Sequence, residues 1–253
     1  MMNGGKSIMT YHVAVVGATG MVGRKMLEIL EEYDFPVASL TLLASPRSAG
    51  QTLVWRGQEY TVEALTAESF DRPLDIAFFS AGGGTSLEFA PIAAEKGVFV
   101  IDNSSAWRMN ADISLIVPEV NFSDLDLEKS KIIANPNCST IQSVLPLKPL
   151  QDAFGLKRVV YTTYQAVSGS GQKGIADLEN GEKGGAPTNY PHPIYGNCIP
   201  HIDSFLPDGY TKEEVKMIEE TRKILNLPDL PVSATCVRVP VWNGHSVAIN
   251  VTL

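Results

Sequence analysis

The chain has 253 residues, of which 44% are hydrophobic and 19% charged, and its formal net charge is −8. That length supplies one large domain or two ordinary ones. The acidic balance argues against nucleic acid or an anionic membrane as the main partner, although a local basic site can still hold a phosphate. No apolar run approaches the roughly 18–20 residues needed to span a bilayer.

Residues 1–10, "MMNGGKSIMT", lack the apolar centre of a signal peptide and read as a disordered leader. "YHVAVVGATGMVGRKMLEILEEY" then reads as a buried strand, a glycine turn and an amphipathic helix, with Met26, Leu27, Ile29 and Leu30 on or near one stripe. "SLTLLAS", "LDIAFFSAGG", "GVFVIDNSS" and "KIIANPN" are further short apolar strands, and "TSLEFAPIAAEKG" is a helix closed by Gly97. This alternation predicts an α/β fold whose first domain, 11–137, is a Rossmann-type doubly wound sheet, with sites at the carboxyl ends of its strands.

From 138 to 253 the texture changes. Strand-like "KRVVYTTYQAVS" precedes a Gly-, Pro- and Asn-rich stretch, "GSGQKGIADLENGEKGGAPTNYPHPIYGN", which reads as a long irregular insertion. A charged helix at "TKEEVKMIEETRKIL" and strands at "SATCVRVPVW" and "SVAINVTL" follow, giving a second, α+β domain.

Two features of the first domain point to a dinucleotide. Gly17, Thr19, Gly20, Met21, Val22 and Gly23 form a G-x-x-G-x-x-G turn between a strand and a helix. Such a turn lets the backbone approach a pyrophosphate, and the helix start offers unpaired N–H groups. A tight turn without a ligand is the alternative. At the end of the second strand an NAD site usually places an acid, but "LASPRSAG" supplies Ser45, Arg47 and Ser48 instead. A cation with two hydroxyls suits a 2′-phosphate, so the reading is NADP(H).

Three cysteines, Cys138, Cys198 and Cys236, are too scattered for a disulfide framework or a zinc site and place the chain in the reducing cytosol. Cys236 lies inside an apolar strand and reads as packing. Cys138 lies in "NPNCST", between a strand and a helix start, where the helix dipole is expected to lower the thiol pKa and favour a nucleophilic thiolate. A dinucleotide fold with an activated thiol suggests a thioester route for aldehyde or acyl chemistry.

"GATGMVG", "ASPRSAG", "IDNSSAWRM", "VPEVN", "NPNCST", "TYQAVSGSGQKG", "IPHID", "EEVKMIEETRKIL" and "TCVRVPVWNGHS", in this order and spacing, resemble the aspartate-β-semialdehyde dehydrogenase family from about Tyr11 onward. The resemblance implies a Rossmann-type domain followed by a catalytic and dimerisation domain like that of glyceraldehyde-phosphate dehydrogenase. It also implies reductive dephosphorylation of β-aspartyl phosphate with NADPH, on the route to lysine, threonine, methionine and the bacterial cell wall, by a homodimer or homotetramer. By the same resemblance Cys138 is the nucleophile, Gln165 helps hold the acyl-enzyme and His245 is the general acid/base. Arg238 grips the α-carboxylate, Glu213 meets the substrate amino group, and Lys216 and Arg108 hold the phosphate. Asn137, flanking the nucleophile, joins the substrate-binding set, and Ser168 and Gly169 resemble the cofactor-side loop. His201 matches the pattern without a catalytic step.

Two departures and two rivals accompany the resemblance. Family members continue for several tens of residues past "VAINVTL", so the second domain is expected to be incomplete. Cys198 stands where an aliphatic residue is usual and reads as packing. N-acetyl-γ-glutamyl-phosphate reductase shares the thioester logic, but "NPNCST" and a glutamate placed for a free ammonium disfavour it. The second rival is a catalytically silent relative that binds nucleotide only.

Overall fold

The computed structural model describes residues 9–253, and most of the expected leader, residues 1–8, lies outside them. The chain divides into two compact units, one of residues 1–114 and 125–135, the other of 115–124 and 136–253.

The first unit opens with β1 (Tyr11–Val16), α1 (Met21–Glu32) and β2 (Val37–Ala44). Val13 to Val16 are fully buried, as a strand covered on both faces requires. On α1, Leu27 and Leu30 turn inward while Ile29, off the stripe, is 40% exposed. Then come a hairpin, β3 (Thr52–Trp55) and β4 (Gln58–Thr61), the two-residue β5 (Glu63–Ala64), β6 (Ile76–Phe79), α2 (Gly83–Glu95), β7 (Phe99–Asp102), β8 (Ser114–Leu115), α3 (Pro118–Asn121) and β9 (Ile132–Ala134). The main sheet has the order β5-β2-β1-β6-β7-β9-β8, parallel from β5 to β9. The strand order reverses between β1 and β6, where a doubly wound sheet opens a crevice for ligands.

The expected continuous first domain, 11–137, is interrupted. Residues 115–124 group with the second unit, because α3 packs on α4 (Cys138–Phe154) of that unit. Within this short segment Asn121 ties the chain to itself, accepting from the Val117 N–H at 2.9 Å and donating to the Leu115 carbonyl at 2.9 Å.

The rest of the second unit comprises β10 (Arg158–Gln165), α5 (Gln172–Glu182), α6 (Lys212–Ile224), β11 (Val232–Arg238) and β12 (Ser246–Thr252). Its sheet has the order β11-β10-β12, with β11 parallel and β12 antiparallel to β10. Alternation along β10 buries Val159, Tyr161, Thr163 and Gln165, and along β11 it buries Ala234, Cys236 and Arg238. This face packs on α6, and the register sets Gln165 beside Arg238 where both parallel strands end.

The stretch expected to be irregular contains a helix, α5, despite the glycines within it. Asp177 on α5 explains the ordering. It is buried, and its two oxygens accept from the backbone N–H groups of Thr188, Asn189 and Tyr190 and from the Thr188 hydroxyl. One carboxylate thus fixes both the helix and the loop that returns over it. Among the described residues no helix is long and apolar enough to cross a membrane.

Candidate active site

In the first unit the turn after β1 is made by close backbone approach. Gly17 has φ +86°, and a Cβ there would stand 2.4 Å from the Ser80 carbonyl oxygen just past β6, so only glycine fits. The Gly17 and Ala18 N–H groups both donate to the Leu43 carbonyl of β2. The chain continues through Thr19 to Gly20, the N-cap of α1, where no side chain caps the helix and no acid stands in its first turn. The N–H groups of Met21, Val22 and Gly23 therefore open α1 with its dipole uncompensated, as a diphosphate needs.

Beside them, at the end of β2, Ser45, Arg47 and Ser48 form a short 3₁₀ turn. Arg47 is exposed and has no ion pair among the described residues. A free guanidinium between two hydroxyls fits a phosphate ester better than a bare ribose. Arg108 also belongs to this unit. It is buried, and one of its terminal nitrogens donates to the Asn103 carbonyl at 3.0 Å.

The remaining sites expected from sequence lie in the second unit, and several converge. Cys138 is the first residue of α4, and Asn137 is its N-cap, whose Oδ1 accepts from the N–H groups of Ser139 and Thr140. Every polar group of Asn137 near the thiol is engaged: Nδ2 donates to Glu213 Oε1 at 2.9 Å, and its backbone N–H donates to Glu220 Oε2 at 2.6 Å. Gln165 Nε2 donates to the same Glu213 oxygen at 3.0 Å, while its Oε1 accepts from the Thr163 hydroxyl. Glu213 thus ties the turn that carries the thiol to the end of β10. Its other oxygen accepts from Lys216 Nζ at 3.3 Å.

Burial alone would push the Glu213 carboxyl up. The Lys216 charge and the hydrogen bonds from Asn137, Gln165 and Lys216 outweigh it and hold the group below the usual carboxylate range. Lys216 moves the other way: burial opposes its charge, but the bond to Asp203 and the charges of Glu213 and Asp203 hold the ammonium above the ordinary lysine value.

The expected lowering of the Cys138 thiol is overturned. Cys138 is open to solvent on one side, yet the protein around its sulfur desolvates it, and the Glu213 carboxylate adds repulsion. Together these raise the thiol above its ordinary value against the smaller pull of Ser139 and Arg238. The Ser139 N–H at the helix start, which the Asn137 side chain also engages, supplies part of that pull, and burial outweighs it.

Arg238 is buried and donates through Nη1 to the Ala166 carbonyl at 2.8 Å, while its Nε has no partner among the described residues. A buried cation with an unspent N–H in its planar fork is built to receive a carboxylate. His245 Nδ1 accepts from the Ala166 N–H at 3.0 Å, so the neutral ring carries its proton on Nε2. Burial first, and the Arg238 charge second, hold this imidazole below its ordinary pKa. Gly169 presses on both: a Cβ there would lie 2.9 Å from Arg238 Nη1 and 3.2 Å from His245 Nε2. Ser168, its neighbour, donates through its N–H to the Trp242 carbonyl.

The other cysteines separate cleanly. Cys236 is buried, and burial pushes its thiol up to about 12. Cys198 is exposed, against expectation, because the next residue, Ile199, takes the inward position and bridges to Arg238. His201 packs against Phe205, the rings tilted by 33° with centroids 4.5 Å apart. Sequence reasoning missed Glu220 and Asp203. Glu220 lies seven residues from Glu213 on one face of α6, a spacing that points to it, whereas Asp203 sits in a loop and carries no such signal.

Known proteins fit this arrangement. Residues 12–128 match the model of the semialdehyde dehydrogenase NAD-binding domain, and residues 147–253 that of the semialdehyde dehydrogenase dimerisation domain. The aspartate-semialdehyde dehydrogenase of Aquifex aeolicus is 57% identical over 250 residues, covering 96% of this chain and 74% of that protein. The crystal structure of aspartate semialdehyde dehydrogenase II from Vibrio cholerae complexed with ASA superposes with a TM-score of 0.91 at 49% identity, over 96% of this chain and 74% of that one. That of Candida albicans aspartate semialdehyde dehydrogenase with NADP gives a TM-score of 0.74 at 28% identity, over 96% and 71% of the two chains. With identity of this order over nearly its whole length, the chain belongs to the aspartate-semialdehyde dehydrogenase family.

Proposed function

We propose that this chain catalyses the reductive dephosphorylation of L-aspartyl 4-phosphate to L-aspartate 4-semialdehyde with NADPH, through a thioester on Cys138. It serves lysine, threonine and methionine synthesis in the cytoplasm, as a homodimer or homotetramer. One observation carries the reading: Glu213 Oε1 accepts from both Asn137 and Gln165, gathering the thiol's two amide neighbours around a carboxylate suited to a substrate ammonium.

Arg238 takes the α-carboxylate and Lys216 the phosphate, for which the family resemblance also implies Arg108. The substrate ammonium on Glu213 compensates the charge that helps hold the thiol up, so binding itself favours the thiolate. The thiol gives its proton to solvent, Cys138 Sγ bonds to the acyl carbon, and phosphate leaves with the electron pair of the C–O bond. The turn before α1, with Ser45, Arg47 and Ser48, would hold NADPH, which when bound would supply the hydride for reduction of the acyl carbon. Cleavage of the C–S bond releases aldehyde and returns the thiolate. Throughout, Gln165 orients the acyl group, and His245 handles the proton at the carbonyl oxygen, donating through Nε2 when that oxygen becomes negative. Gly169, which with Ser168 resembles the family's cofactor loop, leaves the space that Arg238 and His245 fill.

The test is phosphate-dependent reduction of NADP with aspartate semialdehyde. Cys138→Ser is expected to abolish it while NADP binding persists, and a variant that still turned over would remove the thioester. Turnover of N-acetylglutamate semialdehyde in place of aspartate semialdehyde would move the substrate assignment to the acetylated rival.

A further inference from the structure

Arg238 and His245 both lean on one short turn. After β10 the chain makes a 3₁₀ turn, Val167–Ser170, with Ala166 as its N-cap. The Ala166 carbonyl accepts from the Gly169 N–H at 3.2 Å, inside the turn, and from Arg238 Nη1 at 2.8 Å, while the Ala166 N–H donates to His245 Nδ1 at 3.0 Å. Where this turn sits therefore decides where the guanidinium and the imidazole point. Its first residues are held by backbone bonds, from the Val167 N–H to the Val241 carbonyl and from the Ser168 N–H to the Trp242 carbonyl. Its last residue, Ser170, is held through its side chain: the Tyr190 hydroxyl donates to Ser170 Oγ at 2.9 Å.

Tyr190 is itself fixed in two ways. Its N–H donates to Oδ2 of the buried Asp177 at 2.8 Å, and its ring packs against the apolar cluster of Val167, Leu178, Ile194 and Ile199. Helix α5 leaves room for the hydroxyl at Gly174, where a Cβ would stand 2.5 Å from the Tyr190 oxygen, 2.4 Å from the Val167 carbonyl oxygen and 2.8 Å from Ser170 Cβ. The same cluster also reaches Arg238 directly, since Ile199 and Arg238 exchange both backbone hydrogen bonds at 2.9 Å.

We propose that Tyr190 is a positioning residue for the reaction: acting through Ser170, it fixes the turn that sets Arg238 and His245 against the substrate. This rests on the reading of Arg238 as the carboxylate ligand and His245 as the proton-handling group. A tyrosine side chain is rigid, and with its ring seated in the cluster it carries the position of α5 and the returning loop to the turn at little cost in side-chain freedom. Removing the hydroxyl frees Ser170, and a shift of the turn by a fraction of an ångström displaces both groups together. The Gly- and Pro-rich stretch between β10 and α6 is thus a support for the site.

Tyr190→Phe keeps the ring in its cluster and removes only the hydroxyl, and Ser170→Ala removes the acceptor. These two variants and their double are compared with the parent in phosphate-dependent NADP reduction at saturating NADP, in melting temperature, and in the His245 ring resonances by NMR, assigned among the four histidines with His245→Asn. In each single variant kcat/KM for aspartate semialdehyde is expected to fall about fivefold, and no further in the double, because both changes remove one contact. The melting temperature is expected to fall by at most about 4 °C, as for one hydrogen bond in a chain of this size, while the His245 resonances shift in all three variants. A Tyr190→Phe protein with the parent's kcat/KM, or with an unmoved His245 signal, overturns the proposal, as do losses that multiply in the double variant. A parent that does not turn over aspartate semialdehyde brings down the functional reading. The His245 signal, which needs no turnover, then decides the positioning contact by itself, and an unmoved signal in Tyr190→Phe overturns it.

Discussion

Glu220 is the residue through which α6 grips the backbone beside the nucleophile. It is 1% exposed, and its Oε2 accepts the Asn137 N–H at 2.6 Å, one residue before Cys138. In Glu220→Ala the charge-assisted bond, about 1.5–3 kcal/mol, is lost, and the vacated volume of roughly two methylenes adds about 1–2 kcal/mol. Glu220→Gln keeps the volume and one accepting oxygen and loses only the charge assistance, about 1 kcal/mol. At about 2–4 °C per kcal/mol for a chain of this size, alanine lowers the melting temperature by about 5–20 °C and glutamine by about 2–4 °C. Thermal unfolding gives the ordering, and amide hydrogen exchange at the 135–139 peptide locates it, faster in Glu220→Ala than in Glu220→Gln. A Glu220→Ala protein melting within a degree of the parent, or a glutamine variant falling as far as alanine, would refute the view that this carboxylate holds the turn.

Because burial and Glu213 hold the Cys138 thiol up, its alkylation by iodoacetamide is expected to keep accelerating past pH 9 in the ligand-free protein, and Glu213→Gln to move the inflection down; an unmoved inflection would sever the link. Gly169→Ala pushes a methyl against Arg238 Nη1 and His245; kcat/KM for aspartate semialdehyde is expected to fall about tenfold or more while NADP binding holds, the cost of misplacing catalytic groups by a fraction of an ångström. Arg47→Ala should raise the KM for NADP about tenfold and leave that for NAD unchanged, because one charge-assisted contact to a phosphate is lost. Asp177→Asn should destabilise by about 2–4 kcal/mol at pH 7, since a carboxamide cannot accept from all four donors. Those bonds outweigh the effect of burial and hold the Asp177 carboxyl below its ordinary value of 3.8. Its contribution is therefore fully present above about pH 4 and lost as pH falls through the folded value, so parent and variant should converge in urea unfolding at acid pH.

How far the sequence discloses this molecule depends on which interactions are local. The strands of the first unit and the turn at Gly17 follow from runs of apolar residues and glycine spacing, because a strand buried on both faces must be apolar throughout and the sheet's switch point needs a residue without Cβ. Helix α6 is equally plain, since Thr211 and Glu214 close a capping box over four consecutive residues. What stays hidden is set by long-range bonds. Helix α5 is unreadable from its glycines because the carboxylate that stabilises it closes on a loop 11 to 13 residues away. The hairpin β3–β4 escapes notice for a related reason: its turn places Arg56 at φ +49° beside Gly57, and that arginine is retained by stacking on Trp55 and pairing with Asp34 rather than by turn propensity.

The thiol shows the same division most sharply. Local sequence places Cys138 correctly at a helix start, and from that alone a lowered pKa follows. The sign reverses because burial desolvates the sulfur and because Glu213, 75 positions along the chain from Cys138 by their residue numbers, adds the repulsion of its charge, against the smaller pull of Ser139 and Arg238. Burial, with charge placed by tertiary contact, outweighs the pull of the helix start. The ligand-free site thus rests with its nucleophile protonated and its carboxylate organised. On the proposed reading, an ammonium arriving at Glu213 would change both at once, coupling recognition of a free amino group to activation of the sulfur and withholding that activation from an acylated amine.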